Sequence, residues 1–136
     1  VRLIKCKNMS KLKNKKISEK LLQLIKPYMK VVEDSNSEQR LASLLVIGTA
    51  AWNMSITGQE ELKNIVLKPI NDKEALSEMK KMFDSLVRRK NTLFPDDYRI
   101  ILDCKVNSVK RKKYDLSVSF LHKDEYEKSS KNLLIA

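Results

Sequence analysis

The sequence predicts an α+β domain in which about four helices pack on one face of a C-terminal antiparallel β-hairpin, behind a disordered basic N-terminal arm. Three observations predict it. Apolar residues recur at helical spacing from Leu21 to Val87, and from Tyr98 the period changes to two. Only 2 Gly and 3 Pro interrupt 136 residues, which excludes collagen-like and low-complexity chains and leaves no glycine-rich loop to cradle a phosphate. The length and the 42% hydrophobic content suffice for one compact core.

The arm is residues 1–16. Residues 1–20 hold Arg2, Lys5, Lys7, Lys11, Lys13, Lys15, Lys16 and Lys20 against one acid, Glu19, so this stretch carries +7 of the chain's +11. Codon usage in an AT-rich genome produces the same Lys, Asn and Ile bias, so basicity alone assigns no nucleic-acid partner. A chain that opens on Val1 and continues to Met9-Ser10-Lys11 reads as translation from an upstream GTG codon, with the true start at Met9 and residues 1–8 ahead of it. The arm lacks the apolar run of a secretion signal, and a cytoplasmic protein is expected. The longest apolar stretch, Leu41 to Trp52, is far shorter than the ~20 residues of a membrane span.

A single α+β domain is expected over residues 17–122. Its first helix, 18–32, has Ser18 as cap and Pro27 as a kink or restart point. Ser35 and Glu38 have capping-box spacing for a helix over 37–54, apolar nearly all round and therefore central to the core. Thr57 and Glu60 repeat that spacing for a short helix over 58–67, which must stop before Pro69. Asn71 can cap the longest helix, 72–90, whose stripe is Ala75, Leu76, Met79, Met82, Phe83, Leu86 and Val87. Acids at its start and Arg88, Arg89 and Lys90 at its end suit the helix dipole. Trp52, Met79 and Met82 read as core packing rather than as a recognition platform.

Strands are expected over 98–108 and 114–121. Ile100, Leu102, Cys104 and Val106 form one apolar face, and Tyr114, Leu116, Val118 and Phe120 the other strand's share of it. Both sets are even-numbered, so an uninterrupted ladder requires a turn of odd length, three or five residues around Arg111. Residues 123–136 read as a weakly helical or loose tail.

Chemistry is sparse. His122 is the only histidine, and Cys6 and Cys104 have no second ligand at metal spacing, so neither a metal nor a cofactor is expected. Pro95-Asp96 followed by Asp103-Cys104-Lys105 resembles the PD-(D/E)xK nuclease motif, whose acids hold a divalent metal while the lysine steadies the attacking water. If the intervening segment is extended, Asp96 and Asp103 stand ~23 Å apart at ~3.3 Å per residue, too far to share one ion. A turn at Pro95-Asp96-Asp97 and a solvated strand face explain the same residues.

The expected function is a non-enzymatic protein-interaction module, homodimeric through hairpin edges, because an isolated hairpin leaves strand edges to be covered or paired. The alternative is a sequence-nonspecific nucleic-acid binder using Lys11, Lys13, Lys15 and Lys16 of the arm with Lys110, Arg111, Lys112 and Lys113 at the hairpin tip. The remote alternative is the nuclease. Lys80, Lys81, Arg88, Arg89 and Lys90 read as a solvated helix face, with Glu78 and Asp84 interleaved.

Overall fold

Pro27 divides the first helix, as the computed structural model shows; it describes residues 16–135, with side chains through Ser129. Helix α1 (Ile17–Ile25) ends before it, a 3-10 turn spans Lys26–Tyr28, and α2 (Lys30–Ser35) resumes the path. Pro27 lies in the first turn, where its missing N–H costs no bond. Then follow α3 (Glu38–Thr57), α4 (Glu60–Leu67), α5 (Lys73–Leu93), β1 (Arg99–Lys110), β2 (Lys113–His122) and α6 (Lys123–Ile135). The layout is α+β, with helices packed against the C-terminal hairpin. Six α-helices are described rather than about four, because Pro27 splits the first and the tail is helical. Met9 and the expected disordered arm lie outside the described residues, Lys16 excepted.

Helix starts differ from the expected caps by one or two residues. Ser18 lies inside α1, whose cap position is Lys16 with no side-chain bond. Ser37, not Ser35, accepts the Arg40 N–H at 3.2 Å and opens α3. Gln59 opens α4, its N–H held by Thr57 Oγ1 at 3.2 Å. Asp72, not Asn71, accepts from the Ala75 N–H at 3.0 Å and opens α5. In α3, α4 and α5 an extended residue one or two positions past the expected cap begins the helix.

The core forms where α3 crosses its neighbours. Leu41, Leu45, Ala51 and Trp52 of α3 meet Leu21, Leu24 and Ile25 of α1 and Phe83 and Leu86 of α5, all buried. Gly48 permits the close crossing: a Cβ there would stand 2.6 Å from Ile25 Cγ2.

The hairpin departs from the expected geometry twice. Its turn is two residues, since Lys110 pairs with Lys113, and Arg111 and Lys112 take φ of 46° and 65°. Two positive φ angles are what a tight turn needs to match the right-handed twist of its strands. The odd-length turn expected from parity is therefore wrong, and the reason is a β-bulge at Asn107: one extra residue in β1 restores Val106 opposite Leu116 and Cys104 opposite Val118. A second bulge at Leu102 breaks the alternation at the base, where Ile100 and Ile101 are both buried. Leu102, expected inside, is 53% exposed.

Arg111 and Lys112 are costly residues for this turn, because a Cβ at positive φ crowds the backbone. Replacing the pair by Asn-Gly (R111N/K112G) should raise unfolding free energy by about 1–2 kcal/mol. Chemical denaturation of the two proteins measures it, and an unchanged midpoint would mean that the turn is unstrained.

Candidate functional site

Between α5 and β1 the chain turns through Phe94-Pro95-Asp96-Asp97, and the turn carries Asp97 inward to 8% exposure. Its carboxylate accepts from Lys20 Nζ of α1 at 2.8 Å, from the Arg99 N–H at 3.2 Å, and from both Nε and a terminal nitrogen of the Arg99 guanidinium. Lys90 of α5, 1% exposed, donates to the Phe94 and Asp97 carbonyls at 2.7 and 2.8 Å. Its ammonium lies 4.9 Å from the Trp52 ring centroid, and that of Lys20 lies 5.3 Å from Phe94's. Three cations thus surround one acid at the junction of α1, α5 and β1.

Burial alone pushes the Asp97 carboxyl up, but hydrogen bonds from Arg99 and Lys20 outweigh it and hold the group well below the usual carboxylate range. Burial pushes Lys90 down from 10.5, with the attraction of Asp97 opposing and the repulsion of Lys20 assisting. Lys20, Lys90 and Asp97 are all below a tenth exposed, so they present no reactive atom to a substrate. The cluster is a fastener for the base of the hairpin.

The same base is held from the side by α3. Trp52 Nε1 donates to the Arg99 carbonyl at 2.8 Å. Asn53 Nδ2 donates to the Ile101 carbonyl at 2.9 Å, and its Oδ1 accepts the Ile101 N–H at 2.8 Å. One amide side chain thereby satisfies a strand residue as a neighbouring strand would. The outer edge of β1 is occupied at its base and interrupted by bulges at Leu102 and Asn107. Of the two fates expected for a hairpin edge, covered or paired, the base of β1 is covered by a helix.

Among the described residues the sheet has two strands, so none of them pairs with the outer edge of β2, which runs ten residues without a bulge. Its hydrogen-bonding direction follows from both ends. Ile101 turns its N–H and C=O to Asn53, so the Ile101–Phe120 pair is not mutually bonded; Lys110 and Lys113, flanking a two-residue turn, are. Alternation therefore points the backbone groups of Tyr114, Leu116, Val118 and Phe120 to the open side. From Leu116 to Leu121 there is no charge, proline or glycine to discourage pairing.

The structure separates the cations expected to act together. Lys110, Arg111, Lys112 and Lys113 are exposed and form no ion pair among the described residues. Lys16 is exposed one helical turn before Lys20, at the base of the hairpin, which a 12-residue strand places roughly 35 Å from the tip. Lys11, Lys13 and Lys15 lie outside the described residues. Asp96, Asp103 and Lys105 are exposed, and no group of three or more His, Cys, Asp or Glu among the described residues could hold a metal ion.

Other assignments change. Lys90 is buried, and Arg89, partly buried, donates to the Leu24 and Gln23 carbonyls at 3.0 and 2.9 Å, closing the end of α1. Asp84 pairs with Lys63 of α4 at 2.7 Å rather than within its own helix. Phe120, expected in the packed face, is 38% exposed beneath the Arg99 guanidinium and edge-on to His122. Cys104 is half-buried, and burial pushes its thiol up to about 11. No helix among the described residues is long and apolar enough to cross a membrane. Comparison of the chain with known protein families, with curated proteins and with solved structures finds no match.

Proposed function

We propose that the protein is a non-enzymatic interaction module that takes up its partner by strand addition to β2, and that the partner is a second copy of the chain. The observation that carries this reading is the asymmetry of the hairpin. The base of β1 is closed by Trp52 and Asn53 and its course is broken by two bulges, whereas β2 has no bulge and is uncharged from Leu116 to Leu121. Long unprotected edges are what soluble proteins avoid unless they pair them.

Twice the 15.8 kDa chain mass is the expected result of light scattering at about 100 µM. Val118→Pro should return the protein to monomer with its circular dichroism retained, because the Val118 N–H faces the open side and proline there removes no bond of the hairpin. A wild-type monomer at that concentration would refute the homodimer.

A second reading, sequence-nonspecific nucleic-acid binding, is favoured by the tip alone. Four cations without an ion pair among the described residues cluster there, two of them at φ values that Asn or Gly would adopt at lower cost. On this reading R111N/K112G gains stability and loses affinity for duplex DNA. Log affinity should also fall with log salt by about 0.9 per phosphate neutralised. Absence of micromolar binding at ~0.1 M salt eliminates it.

A further inference from the structure

Resting on the homodimer just proposed, we infer that two β2 strands pair antiparallel about a two-fold axis at Ser117, giving a four-stranded sheet across both copies. Parity restricts the register. In an antiparallel pair, residues that exchange bonds must both turn their backbone groups toward the partner, and on β2 these are the even-numbered ones. Even must therefore meet even. The fullest overlap of Lys113–His122 with itself would set Ser117 opposite Val118, which mixes the two kinds and is forbidden.

The two registers on either side remain, each with nine paired residues. An axis at Val118 sets Lys113 opposite Lys123 of the second copy and the Asp115 carboxylate opposite Leu121. The like charges oppose it, whereas a charged residue opposite Leu121, Asp115 here and Lys113 in the other register, does not distinguish the two. An axis at Ser117 sets Tyr114 opposite Phe120, Leu116 opposite Val118 and Asp115 opposite Ser119 of the second copy. The first two pairs continue the inward-facing apolar row across the boundary, and the third keeps polar residues together on the outer face. Partly exposed Phe120 gains an aromatic neighbour.

Ser117 residues of the two copies then face each other as a non-bonded pair, with Cα atoms about 4.5 Å apart, within disulfide reach. Ser119 residues would stand far beyond it, since each faces position 115 of the other copy. In a Cys6→Ser, Cys104→Ala background, Ser117→Cys should oxidise to a disulfide-linked dimer and Ser119→Cys should not. Ser117→Glu should weaken the dimer at least tenfold while keeping the fold, because the introduced carboxylate faces Lys105 within its own hairpin but an identical carboxylate across the axis. A protein dimeric by light scattering in which Ser117→Cys stays unlinked, or in which Ser119→Cys links instead, overturns the register and leaves the homodimer standing. A monomeric background protein overturns both.

Discussion

Asp97→Asn is expected to cost about 3–5 kcal/mol of unfolding free energy, because it leaves the buried Lys20 and Lys90 and the partly buried Arg99 around a site that no longer carries a charge. Asparagine keeps the shape and one acceptor, but its amide nitrogen must confront a second donor. The loss is a large part of the roughly 5–15 kcal/mol by which domains are stable. Asp96→Asn, one residue earlier and exposed, is the control and should change stability by less than about 0.5 kcal/mol. The pH dependence has a definite sign. The folded carboxyl titrates below its unfolded value of 3.8, so its contribution is complete above that value and is lost as pH falls through the folded one. Between pH 5 and pH 2, wild type should therefore lose stability faster than Asp97→Asn. Lys90 acts at the other end of the scale: its lowered value means that the fold gains stability as pH rises toward 10.5. Urea titrations of the three proteins at several pH values measure these effects. A cost under about 1 kcal/mol for Asp97→Asn would show that the cluster is not the fastener described.

Long-period signals were legible and single-residue interruptions were not. The stripe of α5 and the switch to period two beyond Tyr98 each repeat over a dozen or more residues, and each produced its element within a few residues of the observed bounds. Parity misplaces the hairpin turn because it assumes an unbroken ladder, and one bulge residue at Asn107 exchanges an odd turn for an even one. No glycine marks that bulge or the turn, so composition gave no warning. The charge cluster did leave a trace: Lys20 follows Ile17 by three residues and Lys90 follows Leu86 by four, so both lie on the apolar stripes of their helices. Stripe position outranked charge in deciding burial. The uncharged run of β2 was visible, but the closure of β1 by Asn53 depends on a contact 48 residues distant that no local pattern encodes.

Trp52→Ala should cost about 3–5 kcal/mol and loosen the hairpin base before the rest of the fold. Trp52 is fully buried, packs on Phe94 at 5.9 Å and lies under the Lys90 ammonium, so its removal opens a cavity and strips a buried cation of its aromatic cover. It also leaves the Arg99 carbonyl without its donor, a loss of about 1 kcal/mol more if water cannot replace it. Trp52→Phe separates these contributions. It keeps most of the ring volume, lacks the N–H, and should cost about 1–2 kcal/mol. Because Trp52 is the only tryptophan, unfolding of the variants must be followed by circular dichroism rather than by fluorescence. Amide exchange then locates the damage. In both variants, the amides of Ile100 and Leu121, bonded to each other at the hairpin base, and of Ile101, bonded to Asn53, should be accelerated more than those of Ser108 and Asp115, which lie beyond the reach of α3's side-chain bonds. Uniform acceleration along the hairpin would mean that Trp52 stabilises the fold as a whole and that the closure of β1's edge is not a local device.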